Sequence, residues 1–366
     1  MKRLIAHIGH GKTGSSFLQS VFALNADRMT ELGIFYPEDP SHALAKSGFI
    51  TSGNGRLLLE TSEFDTTHQD ILVSSEELFR ELLKKQVYVA ELSRLYDLEV
   101  IIYLRDVIEH HVSEWVQGIK RGGITEDLDT YLLTHEYDVL DLVLKWIDLS
   151  NKVGFKLILK NYTKCKNDLA QDFFNDVIKA PNLVEKLTLP DNKVNRGLSV
   201  IELEIQRVFN AAFGKQSSLY VSDFLCNTFP DVKVYKPVLS EHTYDKILSE
   251  HRASVDAINS VLDDSIHLEI GSREHWLNGA AEGLETLDNG LCTELGESIR
   301  QAIKPLNNSS VDFLRDVALR LYNENPAAIK DALALMNIAL RFRPHGPVIK
   351  NKVAQWSALL ERTEKD

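Results

Sequence analysis

The segment GHGKTGSS, residues 9–16, holds the side chains whose types and spacing most clearly indicate chemistry. Glycines let a backbone curl so that successive N–H groups face one point, and a helix that begins directly after them adds free N–H donors and the positive end of its dipole. Lys12 supplies a full positive charge, and Thr13, Ser15 and Ser16 supply hydroxyls. The pattern predicts a site for a phosphate or sulfate group; a tight turn without a ligand is the alternative.

A nucleotide kinase loop is one chemistry that such a turn could serve, and the sequence matches that loop only in part. The loop reads G-x-x-x-x-G-K-[ST]. Residues 11–13 match its end, but Ala6 stands where the first glycine should be. The most apolar predicted strand is followed by Arg105, where a magnesium-binding strand would end in aspartate. Asp106 is better explained as a helix cap, with Glu109 completing a capping box. A magnesium-dependent P-loop kinase is therefore the second hypothesis.

Two segments together point to a family. HIGHGKTGSSFLQ closely resembles the 5′-phosphosulfate loop of sulfotransferases that use 3′-phosphoadenosine 5′-phosphosulfate (PAPS). YLRDVIEHHVSEWVQ resembles their 3′-phosphate motif, in which an arginine at a strand end is followed eight residues later by a serine, here Arg105 and Ser113. The resemblance covers about residues 1–200, including GFKLILKNY, which ends at Tyr162. It implies transfer of a sulfuryl group from PAPS to an acceptor hydroxyl, with a carbohydrate, as a glycan or glycolipid, as the expected acceptor.

The resemblance also implies roles for individual residues. Lys12 would bridge the sulfuryl group and the leaving 5′-phosphate, and Arg105 would hold the 3′-phosphate with a second bond from Ser113. No metal is implied, because cationic side chains take its place. The donor-binding set carried over from the two motifs comprises Gly11, Lys12, Thr13, Gly14, Ser15, Ser16, Arg105 and Ser113. The alternative makes Arg105 the partner of a surface carboxylate and Ser113 a helix residue without a role.

Transfer to a hydroxyl also needs a base, for which two residues are candidates. Glu76 follows the apolar segment ILVSS and looks like the glutamate of carbohydrate-directed sulfotransferases. A glutamate base works best when its pKa is raised toward neutrality. Alternatively, Ser74 or Ser75 caps the next helix and Glu76 is an acid favoured by the helix dipole. His10, inside the turn, is the second candidate, and a loop histidine without a role is its alternative.

Five short apolar segments predict the strands that must position these side chains. The segments are 3–9, 33–37, 70–75, 98–106 and 154–162. Apolar strands separated by helical stretches are typical of a parallel sheet covered on both faces. Together with the resemblance, this predicts an α/β fold with a P-loop-NTPase-like parallel sheet flanked by helices. Such sheets bind ligands beyond the carboxyl ends of their strands, so the loops after residues 9, 75 and 104 are expected to share one crevice.

Beyond the resemblance, the sequence predicts helices. In the segment VNRGLS, residues 194–199, Asn195 and Arg196 could reach the donor phosphates, but a linker in which Ser199 caps the following helix is favoured. Glycine-rich sequence around 271–290 predicts a domain boundary. The predicted parts are a sulfotransferase-like α/β domain, residues 1–270, and an all-helical C-terminal extension, residues 271–366.

The C-terminal extension reads as a helix, a turn at Asn325 and Pro326, and two further helices. Ala332, Ala339 and Pro344 lie where a tetratricopeptide-like hairpin would have them. One hairpin cannot bury its own face, so it is expected to pack on the main domain or on a protein partner. A non-catalytic scaffold working through these C-terminal helices is the third hypothesis.

Composition narrows the class of protein. The net charge of −12, from 41 Lys+Arg and 53 Asp+Glu, disfavours a nucleic-acid binder. Three scattered cysteines are too few for a disulfide framework or a zinc site. His110 and His111 are helix neighbours that point in different directions, which indicates a helix surface or a crevice wall rather than a metal site. Neither a signal peptide nor a run of about 18 apolar residues is present. A cytoplasmic protein without a membrane span is therefore expected.

Overall fold

A parallel five-stranded sheet forms the centre of the N-terminal part of the chain. Its strands are β1 (Arg3–His7), β2 (Ile34–Phe35), β3 (Asp70–Ser74), β4 (Asp97–Leu104) and β5 (Lys156–Asn161). Their order across the sheet is β2-β3-β1-β4-β5, and every neighbouring pair is parallel. The five predicted strands and the α/β class are confirmed.

The computed structural model describes residues 1–46, 51–64, 67–190, 197–215, 218, 221–222, 225–226, 237–278 and 308–363. The chain divides into two compact units, Met1–Thr293 and Glu294–Asp366. The first unit reaches past residue 270, where the sequence predicts the boundary. Trp276, for example, is 2% exposed and belongs to the main core of that unit.

Helices lie between and after the strands of the first unit. They are α1 (Ser15–Leu24), α2 (Ala26–Glu31), α3 (His42–Lys46), α4 (Gly55–Glu60), α5 (Leu78–Lys84), α6 (Gln86–Leu95), α7 (Val107–Gln117), α8 (Leu128–Thr134), α9 (Val139–Val153), α10 (Tyr162–Cys165), α11 (Leu169–Asp172), α12 (Pro181–Val184), α13 (Val200–Phe213), α14 (Glu241–Asn259) and α15 (Arg273–Asn278). Two π-helical turns, Gly118–Gly122 and Phe173–Val177, follow α7 and α11 directly.

Strand β1 shows why its sequence is apolar without interruption. Its side chains alternate between the two faces of the sheet, with Leu4 and Ala6 in one apolar cluster and Ile5 in the other. All three are fully buried, because helices cover both faces. Burial of a leucine or isoleucine side chain contributes about 1.5–3 kcal/mol to the free energy of folding, which fixes this strand at the centre of the sheet.

The carboxyl ends of three adjacent strands meet at one edge of the sheet. β1 lies between β3 and β4, and its pairing continues past its end: Ile8 N donates to Ile101 O, and Ser75 N donates to His7 O, each at 3.0 Å. The chain segments that follow β1, β3 and β4 therefore leave the sheet side by side, as the crevice prediction requires.

The second unit is a set of three helices with its own core. α16 (Asn308–Glu324), α17 (Ile329–Phe342) and α18 (Pro347–Thr363) bury Ala332, Met336, Ala339 and Trp356. The predicted turn at Asn325 is present: its side chain accepts a hydrogen bond from Ala327 N. The predicted helix–turn–helix is confirmed.

None of the helices in the part of the chain that the structure describes combines the length and the apolar character needed to cross a membrane.

Candidate active site

The turn between β1 and α1 has an unusual backbone. Gly11 (φ 90°), Lys12 (φ 54°) and Gly14 (φ 79°) all occupy the left-handed region. This curl turns neighbouring N–H groups toward a common point, the geometry of an anion-binding concavity. Lys12 is not a glycine, so its conformation costs about 1–2 kcal/mol. Gly14 is also required sterically, because an added Cβ would lie 2.4 Å from Leu169 Cδ2.

Hydroxyls and free amides line the same turn. Thr13 is fully buried, and its Oγ1 has no hydrogen-bond partner among the described residues. Ser15, 2% exposed, and the half-buried Ser16 are the first two residues of α1. The N-cap, Gly14, carries no side chain that could satisfy the first amides of that helix. The turn therefore presents donors without protein acceptors, which is what an anionic ligand needs.

Arg105 lies directly after β4 and reaches the turn. Its Nη1 donates to the backbone carbonyl oxygen of Lys12 at 3.1 Å, and the guanidinium lies 5.6 Å from the centre of the Tyr162 ring. The nearest carboxylate, Glu109 Oε1, is 3.6 Å from Nη2. Nε is buried and has no hydrogen-bond partner among the described residues. The side chain is only 18% exposed, so it is not part of a surface ion pair.

Ser113 lies two turns into α7, on the helix that begins after Arg105. It is half-buried, and its hydroxyl has no hydrogen-bond partner among the described residues. The hydroxyl can therefore serve a ligand without giving up a protein contact.

Glu76 follows β3 and faces the turn. A Cβ added at Gly11 would lie 3.6 Å from Glu76 Oε2. The Glu76 side chain is exposed, yet crowding by protein atoms raises its pKa, while the charge of Lys12 and a hydrogen bond from Ser15 oppose that rise. The N-cap of α5 is Glu77, so neither Ser74 nor Ser75, the alternative caps, occupies that position, although Ser75 Oγ accepts a hydrogen bond from Glu77 N at 3.2 Å.

Lys12 lies among charges of both signs. Burial lowers its pKa, Glu76 raises it, and the nearby Lys120 and Arg105 lower it. Lys120 is 4% exposed and lies in the π-helical turn after α7. Several cations around one turn repel each other, and an anion bound between them would relieve that repulsion.

His10 pairs with His110, whose side chain is fully buried on α7. His10 Nδ1 is 3.1 Å from His110 Nε2, which also lies 3.3 Å from the carbonyl oxygen of Gly11. A carbonyl can only accept, so both contacts are satisfied when His110 Nε2 carries the proton. His10 Nδ1 then accepts, and His10 carries its own proton on Nε2. This buried Nε2–H has no partner among the described residues.

Burial keeps these two imidazoles neutral. It lowers the pKa of His10 to about 4 and that of His110 well below its ordinary value. His110 is thus an interior residue and not part of an exposed helix surface, one of the two alternatives that the sequence leaves open. In this tautomer His10 Nε2 is a donor rather than a basic nitrogen.

Glu114 is a site residue that sequence reasoning missed. Burial, together with the nearby Asp138, raises its pKa to about 7, while Arg80 and Lys12 lower it. Its Oε2 is 4.0 Å from His110 Nδ1. The only signal in the sequence is the position of Glu114 directly after Ser113. Its neighbours, Arg80 on α5 and Asp138 before α9, are distant in sequence and become apparent only in the structure.

The predicted capping box at the start of α7 is wrong. Asp106 is the N-cap, but its side chain makes no capping bond. Its Oδ1 accepts from Glu269 N at 3.1 Å instead. Glu109 turns to Thr163 and Lys166, at 3.2 and 3.3 Å, and so cannot return to the helix start. Asp106 and Glu109 therefore bond to residues that are distant in sequence and not to the first amides of α7.

The linker prediction before α13 is confirmed where it can be followed. Ser199 Oγ accepts from Glu202 N, and the Glu202 carboxylate accepts from Ser199 N, which forms a capping box. Asn195 and Arg196, the alternative donor-binding residues, lie outside the described residues.

Comparison of the chain with protein-family models, with curated proteins and with solved structures gives no match.

Proposed function

We propose that this chain is a sulfotransferase that moves a sulfuryl group from PAPS to a hydroxyl of a carbohydrate acceptor. The observation that carries the proposal is the hydrogen bond from Arg105 to the carbonyl oxygen of Lys12. It joins the turn after β1 to the segment that follows β4, which supports one donor site that spans both elements. The strand order, with β1 between β3 and β4, supports a P-loop-like sheet.

The residues fit an adenosine bisphosphate group at both ends. Thr13 Oγ1, the first amides of α1 and the Lys12 ammonium suit the 5′-phosphate and the sulfuryl group next to it. The Arg105 fork and the free Ser113 hydroxyl suit the 3′-phosphate. The bound donor supplies the sulfuryl group and the leaving phosphate. The protein contributes position and positive charge, which carry most of the catalysis in this type of transfer.

Glu76 is the base in this proposal. Its carboxylate faces Gly11 at the mouth of the crevice, and its raised pKa makes it a better proton acceptor than an ordinary glutamate. The acceptor oxygen bonds to sulfur, its proton passes to Glu76, and the bond between sulfur and the 5′-phosphate oxygen breaks. His10, with its proton on Nε2, donates a hydrogen bond to the transferring group.

The alternatives make different predictions. A P-loop kinase needs a carboxylate for magnesium after β4, but Asp106 there is engaged by Glu269 N. A scaffold working through α16–α18 would capture its partner equally well after Lys12→Ala. Thermal-shift titration separates these readings, because a tight ligand raises the melting temperature. We expect a rise with 3′,5′-adenosine bisphosphate in EDTA and none with ATP–magnesium; no response to millimolar bisphosphate would refute the proposal.

A further inference from the structure

A polar cavity of about 350 Å³ opens beside the base candidate. It is lined by His10, Glu76, Glu77, Phe79, Arg80 and Glu81. Because it shares His10 and Glu76 with the candidate active site, an acceptor held in it would lie next to the Lys12 turn. The volume is at the lower end of ordinary ligand sites and suits one or two sugar rings.

The positive charge of Arg80, the one cationic residue in the described lining of this cavity, is already neutralised. Both terminal nitrogens of Arg80 donate to the Asp138 carboxylate, at 2.5 and 2.7 Å. Lys84 forms an ion pair with Glu81 at 2.6 Å. Glu77 is exposed and has no ion-pair partner among the described residues. Within the part of the chain that the structure describes, three carboxylates, those of Glu76, Glu77 and Glu81, and one guanidinium, that of Arg80, line the cavity, so the lining itself carries a net negative charge. Lys84, the partner of Glu81, is not among the lining residues.

A cavity lined by carboxylates discriminates between acceptors by their charge. Carboxylate oxygens accept hydrogen bonds from neighbouring hydroxyls of a sugar, two at a time. A carboxylate or sulfate on the incoming molecule would instead face like charge, and repulsion of this kind is a common device for rejecting a wrong partner. Lys12, whose charge acts on Glu76, lies at the turn that holds the donor in the proposed function.

We propose that this cavity is the acceptor subsite and that it takes uncharged sugars while it rejects anionic ones such as uronates and sulfated glycans. The inference rests on the proposed sulfotransferase function and adds the chemical class of the acceptor to it. Specificity here comes from Glu77 and Glu81, which take no part in the transfer step.

The test uses sugar pairs that differ only in charge. The p-nitrophenyl uronides of glucose, galactose and mannose are compared with the corresponding uronamides, which have the same shape and no charge. Transfer of label from PAPS is measured with the full chain. We expect kcat/KM to be at least about tenfold higher for the uronamides at low salt, and the ratio to shrink in 0.5 M salt because of screening.

A double variant shows whether these carboxylates are responsible. E77Q/E81Q should raise kcat/KM for the uronides at least about threefold, as loss of like-charge repulsion predicts. The affinity for 3′,5′-adenosine bisphosphate should stay unchanged. The matched control, Glu91→Gln, removes an exposed carboxylate of α6 that does not line the cavity and should leave the ratio as it is.

Three results would overturn the inference: uronides that react as well as uronamides, a ratio that E77Q/E81Q leaves unchanged, or no transfer to any of these sugars by a chain that binds the bisphosphate. Failure to bind the bisphosphate would refute the proposed function instead, so the two failures can be told apart.

Discussion

Arg105 Nη1 donates a hydrogen bond to the backbone carbonyl oxygen of Lys12 across 3.1 Å. The bond joins the loop after β4 to the turn after β1 and helps to hold Lys12 in its left-handed conformation. Strain of this kind persists only where the surrounding structure enforces it, and it often marks a functional site. The residue with the strained backbone is therefore also the one to which the proposed function assigns contact with the transferred group.

Two substitutions of Lys12 distinguish the effect of its backbone strain on stability from the effect of its ammonium group on the transfer rate. Lys12→Ala and Lys12→Gly both remove the ammonium group and should lower the transfer rate at least about 100-fold. Only glycine is relaxed at φ 54°, so Lys12→Gly should be more stable than Lys12→Ala by about 1 kcal/mol. Urea unfolding compares the two variants. Equal stability would show that the turn is not strained, and a transfer rate that survives in either variant would remove Lys12 from the mechanism.

The Ser113 hydroxyl offers a test with little structural effect. It has no protein partner among the described residues, so Ser113→Ala should leave the melting temperature of the free protein unchanged. Loss of a hydrogen bond to a charged phosphate should weaken bisphosphate binding by about 1.5 kcal/mol, about tenfold. Calorimetric titration measures the change. Unaltered affinity would mean that Ser113 has no part in donor binding.

Two carboxylates compete for the role of base, and pH dependence distinguishes them. A base acts only when deprotonated, so the transfer rate falls as the pH drops through its pKa. Glu76→Gln should lower the rate at least about 100-fold, whereas Glu114→Gln should leave it within about threefold. The pKa of Glu114 is about 7. If Glu114→Gln instead abolishes transfer and the wild-type rate declines below pH 7, Glu114 is the base.

His7 makes stability depend on pH. Its side chain is fully buried, with Nδ1 2.8 Å from Ser74 Oγ, and burial lowers its pKa to about 4. The unfolded chain protonates this group near pH 6.5 and the folded chain does not, so its contribution to stability is lost as the pH falls from about 6.5 to about 4.

His7→Gln should therefore reduce the slope of unfolding free energy against pH by up to about 1.4 kcal/mol per pH unit in that window. Urea unfolding at a series of pH values gives the slope for both proteins, whatever their absolute stabilities. An identical slope in the variant would contradict burial of a neutral imidazole at this position.

The strands were predictable because each one is a local apolar run bounded by turn residues. The turn after β1 was equally local, since its glycines, its lysine and its hydroxyls are consecutive in residues 9–16. What the sequence could not supply were contacts between distant segments. The Glu109 carboxylate, for example, accepts hydrogen bonds from Thr163 and Lys166, which lie far along the chain, and does not form the expected capping box at the start of α7.

The missed residues share the same cause. Helical periodicity predicts that Glu114 is on a helix, but not that α7 turns it toward Lys12 and Arg80. The contact between His10 and His110 likewise joins the turn after β1 to the helix α7 after β4. These two segments are neighbours only because β1 and β4 pair in parallel.

In the proposed function, two anion sites hold opposite ends of one adenosine nucleotide, and calorimetry with two ligands tests this arrangement. Wild type and Arg105→Ala are titrated with 3′,5′-adenosine bisphosphate and with 5′-AMP, which lacks the 3′-phosphate. We predict that the variant binds the bisphosphate at least about 30-fold more weakly and 5′-AMP within about threefold of wild type. An equal loss for both ligands, or no loss for either, would contradict the account.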